Sequence, residues 1–324
     1  MAIPLPDRAC VDRFRADLAA LGGDGDAALA VAVSGGPDSL ALLLLAAAAR
    51  PGAVKAATVD HQLRPESAAE AAFVAGVCAA LGVPHAILPV EVTGGPAGMQ
   101  AGARAARYGA LGGWMARERL ATLLTAHHAD DQAETLLMRL QRGAGVSGLA
   151  GVRAQGPLPG SGGRLALCRP LLGWRRGELG AIVAAAGLAA VEDPSNADPD
   201  FDRVRMRAHL AEAPWLDVAA LARSAAALAQ ADAALDAMAA RLFDERARPA
   251  PEGLALDPDG VPDELRRRLV TRCLAAVLPG AAPRGEQVTS LLVALARGET
   301  ATLAGVKCRG GAAWTFAPAP PRRG

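Results

Sequence analysis

Short apolar runs alternate with longer alanine- and leucine-rich stretches through the first half of this chain. Leu29 to Val33, Val54 to Val59, residues 86–92 and Leu120 to Ala126 have the length and composition of buried strands. Between and around them the spacing predicts helices over 11–21, 39–49, 66–81, 98–119 and 130–142. The fourth persists despite Gly98, Gly102, Gly109 and Gly112, and the last stops at Gly143. Strands alternating with helices mean βαβ units and a parallel sheet, hence an α/β fold of the Rossmann-like kind. Ligands of such sheets sit beyond the carboxyl ends of the strands, where the loops at 34–39, 60–64 and 126–131 fall.

The second half changes character. Residues 143–163 are rich in glycine and proline and read as loop, 165–172 return to order, and 177–186 form a helix. Glu192 to Pro199 is a polar turn, 203–211 a further helix, and Leu216 to Arg248 a long helical arm ending at the boundary Pro249–Pro251. Two helices (263–278 and 285–297) and short strands at 300–309 and 312–316 make a small α+β module, with a frayed tail from Pro318 to Gly324. The expected organisation is a catalytic domain over 1–213, a helical connector over 214–248 and a C-terminal module over 249–324.

Composition narrows the class. The chain has 324 residues, 52% of them hydrophobic, and a formal net charge of +1, so overall charge advertises neither nucleic acid nor membrane. The longest apolar run, Leu40 to Ala49, is too short to span a bilayer. The five cysteines, Cys10, Cys78, Cys168, Cys273 and Cys308, form no CxxC pair, which points to neither a disulfide framework nor a zinc knuckle and to a reducing, cytoplasmic setting. Charge distribution says more than the total. Seven arginines (139, 142, 153, 164, 169, 175, 176) lie between Thr135 and Gly177 without one Asp or Glu. Arg203, Arg205 and Arg207 follow, then Arg266 to Arg268 and Arg272. Such density is the footprint of a phosphate-backbone partner, or else a set of solvated charged faces. Aromatic residues are few, and no stacking platform for single strands stands out.

Candidate chemistry begins at Ser34-Gly35-Gly36-Pro37-Asp38-Ser39, between the first strand and the first long helix. Two adjacent glycines let backbone N–H groups approach an anion, the two serines add hydroxyl donors, and the helix points its positive end there. A phosphate or pyrophosphate is the natural occupant. Asp60-His61-Gln62-Leu63-Arg64 closes the second strand and reads either as a nucleotide-pocket wall or as a polar loop. In His127-His128-Ala129-Asp130-Asp131-Gln132-Ala133-Glu134, Asp130 and Glu134 share one helix face, and Asp130 or Asp131 caps the helix. Carboxylates beside a phosphate loop suit Mg²⁺, which favours oxygen ligands and bridges phosphates. Arg104 and Arg107 lie on the helix before the fourth strand, where spacing alone favours surface positions.

Together these motifs resemble the PP-loop, or N-type ATP pyrophosphatase, superfamily, with SGGPDS as its SGGxDS signature. The match is closer to the tRNA(Ile)-lysidine synthases. Val59 to Arg64 is similar to their VDHxLR, Ala103 to Tyr108 to their ARxxRY, and Thr125 to Gly148 to their AHHxDDQAET helix and following RGxGxxGL. Arg169-Pro170-Leu171-Leu172 and Glu192-Asp193-Pro194-Ser195-Asn196 match two more elements. One departure stands out: the family's FxRNRxR run reads Phe201-Asp202-Arg203-Val204-Arg205-Met206-Arg207, with valine in place of asparagine.

The resemblance implies ATP-dependent ligation of free L-lysine to C2 of the wobble cytidine of tRNA(Ile) with a CAU anticodon, through an adenylated tRNA and with release of pyrophosphate and AMP. It implies that the Ser34–Ser39 loop, Asp60 and His61 bind ATP. Asp38, Arg104, Arg107, Asp130 and Glu134 become catalytic, with Asp38 and Asp130 around Mg²⁺. Arg139, Arg203, Arg205 and Arg207, with the C-terminal module, contact tRNA. It also suggests a homodimer. A PP-loop tRNA thiolase would need sulfur-handling cysteines, which are not grouped here. A PP-loop small-molecule amide synthetase or a non-catalytic nucleotide-binding module gives no reason for the arginine stretch or for the carboxylate-bearing helix. A Walker-type NTPase is excluded, since no GxxxxGK[ST] occurs.

Overall fold

A computed structural model describes residues 3–320 apart from 24, 63–65, 92–98, 192–199, 201, 282 and 284. Leu63, Arg64, the Glu192–Asn196 element and Phe201 therefore lie outside the described residues. The chain divides into two compact units, residues 1–229 and 230–324.

The first unit carries a six-stranded sheet among its described residues: β1 (Leu29–Ala32), β2 (Val54–Asp60), β3 (His85–Pro89), β4 (Thr122–Leu124), β5 (Gln155–Pro157) and β6 (Ala166–Cys168). The order is β3-β2-β1-β4-β6-β5, parallel except for β5. The helices are α1 (Arg8–Ala19), α2 (Pro37–Ala49), α3 (Ser67–Ala80), α4 (Met99–Glu118), α5 (Ala129–Gln141), the short α6 (Val146–Leu149), α7 (Arg176–Ala185) and α8 (Asp202–Ala211).

Alternate strand residues feed two cores. Val31, Ala56 and Leu124 join α1, α2, α3 and α7 in one, whereas Ala30, Ala57 and Leu123 join Tyr108, Leu111, Trp114 and Met115 of α4 in the other. The apolar run Leu40 to Ala46 is wholly buried because α2 packs against both α1 and α7 as well as the sheet. That burial fixes the loop before α2 to the rigid centre of the unit.

Strand order places the site. The chain winds β1–β2–β3 to one side and then returns to lay β4 on the other flank of β1. The reversal opens a crevice beyond the carboxyl ends of β1 and β4. The loop into α2 and the loop into α5 both leave the sheet there.

The second unit holds most of α9 (Val218–Arg246), then β7 (Ala247–Ala250), β8 (Gly253–Leu256), α10 (Asp263–Val277), α11 (Gly285–Ala296), β9 (Thr300–Leu303), β10 (Val306–Arg309) and β11 (Trp314–Pro318). Its antiparallel sheet runs β7-β8-β11-β10-β9, with Leu256, Val306, Cys308, Trp314 and Phe316 packed towards Leu269, Val270, Cys273 and Leu274 of α10.

Three local expectations change. Residues 143–163 hold α6 and β5 rather than loop alone. Pro249 is no boundary but part of a hairpin: β7 is an edge strand, where proline removes no ladder donor that matters. Pro318 is not frayed, since it pairs with Val306 as the last residue of β11.

Candidate active site

The glycine turn is braced from within. The Ser34 amide donates to Ser39 Oγ at 3.1 Å, Ser39 Oγ donates to the Gly36 carbonyl at 3.0 Å, and the two serine hydroxyls lie 3.2 Å apart. Gly35 has φ 89°, and a Cβ there would meet Val191 at 3.1 Å and Val74 at 3.3 Å, so only glycine fits. Pro37 opens α2, where a missing N–H leaves nothing unsatisfied, and Gly36 caps it with no side chain in the way. The first-turn amides of this 13-residue helix have no side-chain cap among the described residues, as an anion-binding helix N-terminus requires.

Asp38 stands in that first turn. Its Oδ1 is buried with no hydrogen-bond partner among the described residues, and its Oδ2 lies 3.4 Å from Nε2 of His128. His128, and not an aspartate, is the N-cap of α5: the Asp131 amide donates to His128 Nδ1, and Asp131 Oδ2 accepts from the His128 amide at 3.1 Å. Burial opposes charge on His128, but the Asp38 hydrogen bond and the carboxylates of Asp131 and Asp130 outweigh it and raise its pKa.

Asp130 and Glu134 share a face, as their spacing predicts, yet each meets a different arginine. Asp130 accepts from Nε and Nη2 of Arg175, both at 3.2 Å, and from the Arg176 amide at 2.9 Å. Its pKa is lowered, because these bonds overcome the desolvation that opposes them. Glu134 is 1% exposed and accepts from Arg207 Nε at 3.0 Å, while its Oε2 is buried without a partner among the described residues. Burial wins there, and the Glu134 pKa is raised despite Arg207.

A cavity of about 990 Å³ connects these parts. Ser34 to Ser39 (Gly35 excepted), His61, Arg107, Thr125 to His128, Asp131, Arg203, Val204 and Arg207 line it. Asp131 rather than Asp130 is the helix carboxylate on its wall, a residue the sequence offered as a candidate cap of that helix. His127 is held by burial and by Arg169, Arg107, Arg203 and Arg104 down to about 3, with Thr125 Oγ1 at 3.2 Å from its Nδ1. A neutral imidazole therefore stands among four guanidinium groups, two of them from the ARxxRY helix. Arg104 and Arg107 both lie over the buried Tyr108 ring, at 5.0 and 5.1 Å from its centroid. Asp60 turns its Oδ1 to the Gln62 amide, and burial and Arg107 lower the His61 pKa.

The remaining arginines are less free than their density implies. Arg139 donates through Nη1 to the carbonyls of Gly148 and Gly151, and Gln132 clamps both the N–H and the C=O of Val152. These bonds explain the glycine-rich run after α5: the loop folds back on the helix. Arg153, Arg164 and Arg169 also donate to carbonyls, and Arg142 pairs with Asp202 at 2.5 Å. Arg205 pairs with Asp202, while Arg203 and Arg207 face the cavity. In the second unit Arg268 joins Asp232, Asp236 and Glu264, Arg266 and Arg267 pair with Asp263 and Glu264, and Arg272 donates to the Asp236 carbonyl. That cluster is internal wiring, not an open basic face.

Sequence reasoning missed Arg169 and Arg175 as parts of the site. Arg169 was visible as the arginine of an RPLL element at a strand end. Arg175 carried no signal beyond its place in the acid-free stretch.

The PP-loop domain family matches residues 11–213. A tRNA(Ile)-lysidine synthase of Novosphingobium aromaticivorans is 50% identical over 316 residues, covering 96% of this chain and 94% of the relative. One of Zymomonas mobilis is 44% identical over 295 residues, covering 91% and 89%. Among solved structures, the U34-tRNA thiolase NcsA of Methanococcus maripaludis with its [4Fe-4S] cluster aligns at a TM-score of 0.55 and 16% identity, covering 69% of this chain and 78% of that one, a likeness of fold. With identity of this order running through both compact units, the chain belongs to the tRNA(Ile)-lysidine synthase family of PP-loop proteins.

Proposed function

We infer that the protein ligates free L-lysine to C2 of the wobble cytidine of tRNA(Ile) with a CAU anticodon, in the cytoplasm, at the expense of ATP. The reading is carried by one observation: the anion-binding turn, Asp131 of α5 and arginines from α4, α7 and α8 line one crevice. In this reading the Ser34–Ser39 turn holds the β- and γ-phosphates as they become pyrophosphate, and Asp60 and His61 flank the nucleotide. Arg104 and Arg107 face negative charge developing at the α-phosphate, where preorganised donors act most strongly. The C2 oxygen of cytidine attacks that phosphorus and pyrophosphate leaves. The lysine amine then adds at C2 and AMP departs. The amine must lose a proton, and a carboxylate of raised pKa suits both the capture of an ammonium and the removal of its proton, which favours Glu134.

Mg²⁺ fits the donor set. The buried Oδ1 of Asp38, with no hydrogen-bond partner among the described residues, is an oxygen donor in want of a cation; Asp130, the second carboxylate of the set, is held by Arg175 and the Arg176 amide. Bound there, the ion would neutralise phosphate charge, in keeping with its habit of taking one or two carboxylates plus phosphate oxygens.

Arg203, Arg205 and Arg207 on α8 take the RNA backbone, with Arg139 contributing through donors its loop leaves over. The C-terminal module adds to RNA binding. Arg248, Lys307 and Arg309 are exposed on its sheet, and no strand of that sheet contains an Asp or Glu.

Incubation with labelled lysine, ATP and a tRNA(Ile) transcript tests the assignment. Label entering RNA, dependent on ATP and on the CAU anticodon, is expected. Label entering only small molecules would instead mark an amide synthetase.

A further inference from the structure

Three of the four tryptophans are buried: Trp114 is 4% exposed, Trp174 0% and Trp314 3%. Trp215 is 80% exposed, the most exposed of the large apolar side chains among the described residues. Its backbone is nevertheless well defined. Pro214 fixes the preceding φ, the Leu216 amide donates to the Ala213 carbonyl at 2.9 Å, and Asp217 Oδ1 accepts from the Ala219 amide at 2.8 Å at the start of α9. An indole is thus presented to solvent on a braced turn.

The turn continues α8. That helix begins at the cavity mouth with Arg203, Val204 and Arg207 and runs ten residues, about 15 Å, away from it. Arg203, Arg205 and His209 are exposed along its length, and α5, which carries the exposed Leu140 and is capped by Arg142, packs beside it. Three acids are near: Asp202 at the start of α8 pairs with Arg142 and Arg205, Asp217 is taken up by Arg223 and the Ala219 amide, and Glu212 is exposed. A basic helix leading from a nucleotide-sized cavity to a projecting indole suits a single strand whose phosphates follow the arginines and whose base stacks on the ring.

We propose that Trp215 is a stacking platform for an unpaired nucleobase of the tRNA, a few nucleotides from the one that enters the cavity. The proposal rests on the tRNA-modifying reading above and adds to it a base contact outside the reacting nucleotide. Because the other indoles are buried, acrylamide quenching of tryptophan emission reports almost solely on Trp215.

The full-length wild-type protein and its Trp215→Ala and Trp215→Phe variants serve as the test, with tRNA(Ile) transcript as the probe. Saturating tRNA is expected to shield the quenchable emission of the wild type. Trp215→Ala is expected to raise the KM for tRNA about ten-fold, the order of one lost base stack. Its kcat and its KM for ATP stay within two-fold, roughly, and Trp215→Phe recovers most of the loss because the phenyl ring still stacks. An unchanged KM for tRNA in Trp215→Ala, with lysine transfer intact, overturns the platform and leaves the ligase reading standing. So does shielding that grows with protein concentration in the absence of RNA, which would assign the indole to self-association. A wild-type protein that transfers no lysine to RNA overturns both.

Discussion

At the scale of the residue, the site is governed by groups whose charge is set by burial and neighbours. His127 has the clearest consequence. Its pKa falls from the ordinary 6.5 to about 3 in the folded protein, through burial and the facing Arg169, Arg107, Arg203 and Arg104. The unfolded chain then binds a proton that the native state refuses, so stability is full above pH 6.5 and declines as pH falls towards 3. His127→Gln is expected to flatten the decline already between about pH 6.5 and 5, above the range where carboxylates titrate. Urea midpoints measured across that range check it, and curves of equal slope would contradict it. Gly35 gives a second prediction. With φ at 89° and Val191 and Val74 against the missing Cβ, Gly35→Ala is expected to destabilise the fold by about 2 kcal/mol and to weaken ATP binding. Equilibrium denaturation and nucleotide titration measure the two effects separately.

At the scale of the element, the α5–α8 pair is held by a buried hydrogen bond to charge. Glu134 is nearly inaccessible and Arg207 reaches it from the other helix, so Arg207→Met leaves a buried carboxylate unpaired. A loss of about 2 kcal/mol is expected, most of it absent when Glu134→Gln is made as well. A double-mutant cycle with no coupling would remove this link. The same elements show what sequence reveals and what it hides. The βαβ order, the glycine turn and the carboxylate helix were legible because period and turn chemistry are local. The cap of α5 was not: aspartate is the commoner cap, and only the fold brings Asp38 to His128. The pairing of Asp130 with Arg175 is likewise a contact across 45 residues. The β7–β8 hairpin escaped because Ala-Arg-Pro-Ala has neither β-branched residues nor alternation. The exposure of Trp215 escaped because composition counts aromatic rings without locating them.

At the scale of the whole molecule, arginine has two uses. Around the crevice it faces where anions bind, and elsewhere it ties the chain to itself. Arg268 is the strongest case of the second. It is 10% exposed and bonds Asp232, Asp236 and Glu264, joining α9 to α10. Arg268→Ala takes a charge partner from the buried Asp232 and is expected to destabilise residues 230–324 by about 3 kcal/mol. Hydrogen exchange should show amides of α10 opening sooner while those of α2 keep their protection, and uniform loss in both would contradict that. The central claim concerns which bond of ATP is cut and where AMP goes. ATP labelled at the α-phosphate, given with tRNA(Ile) of CAU anticodon and no lysine, measures it most directly. The label is expected on the RNA, to leave as AMP when lysine is added, and to be absent with Asp38→Ala. Label that never reaches RNA, or that appears on lysine instead, would contradict the account.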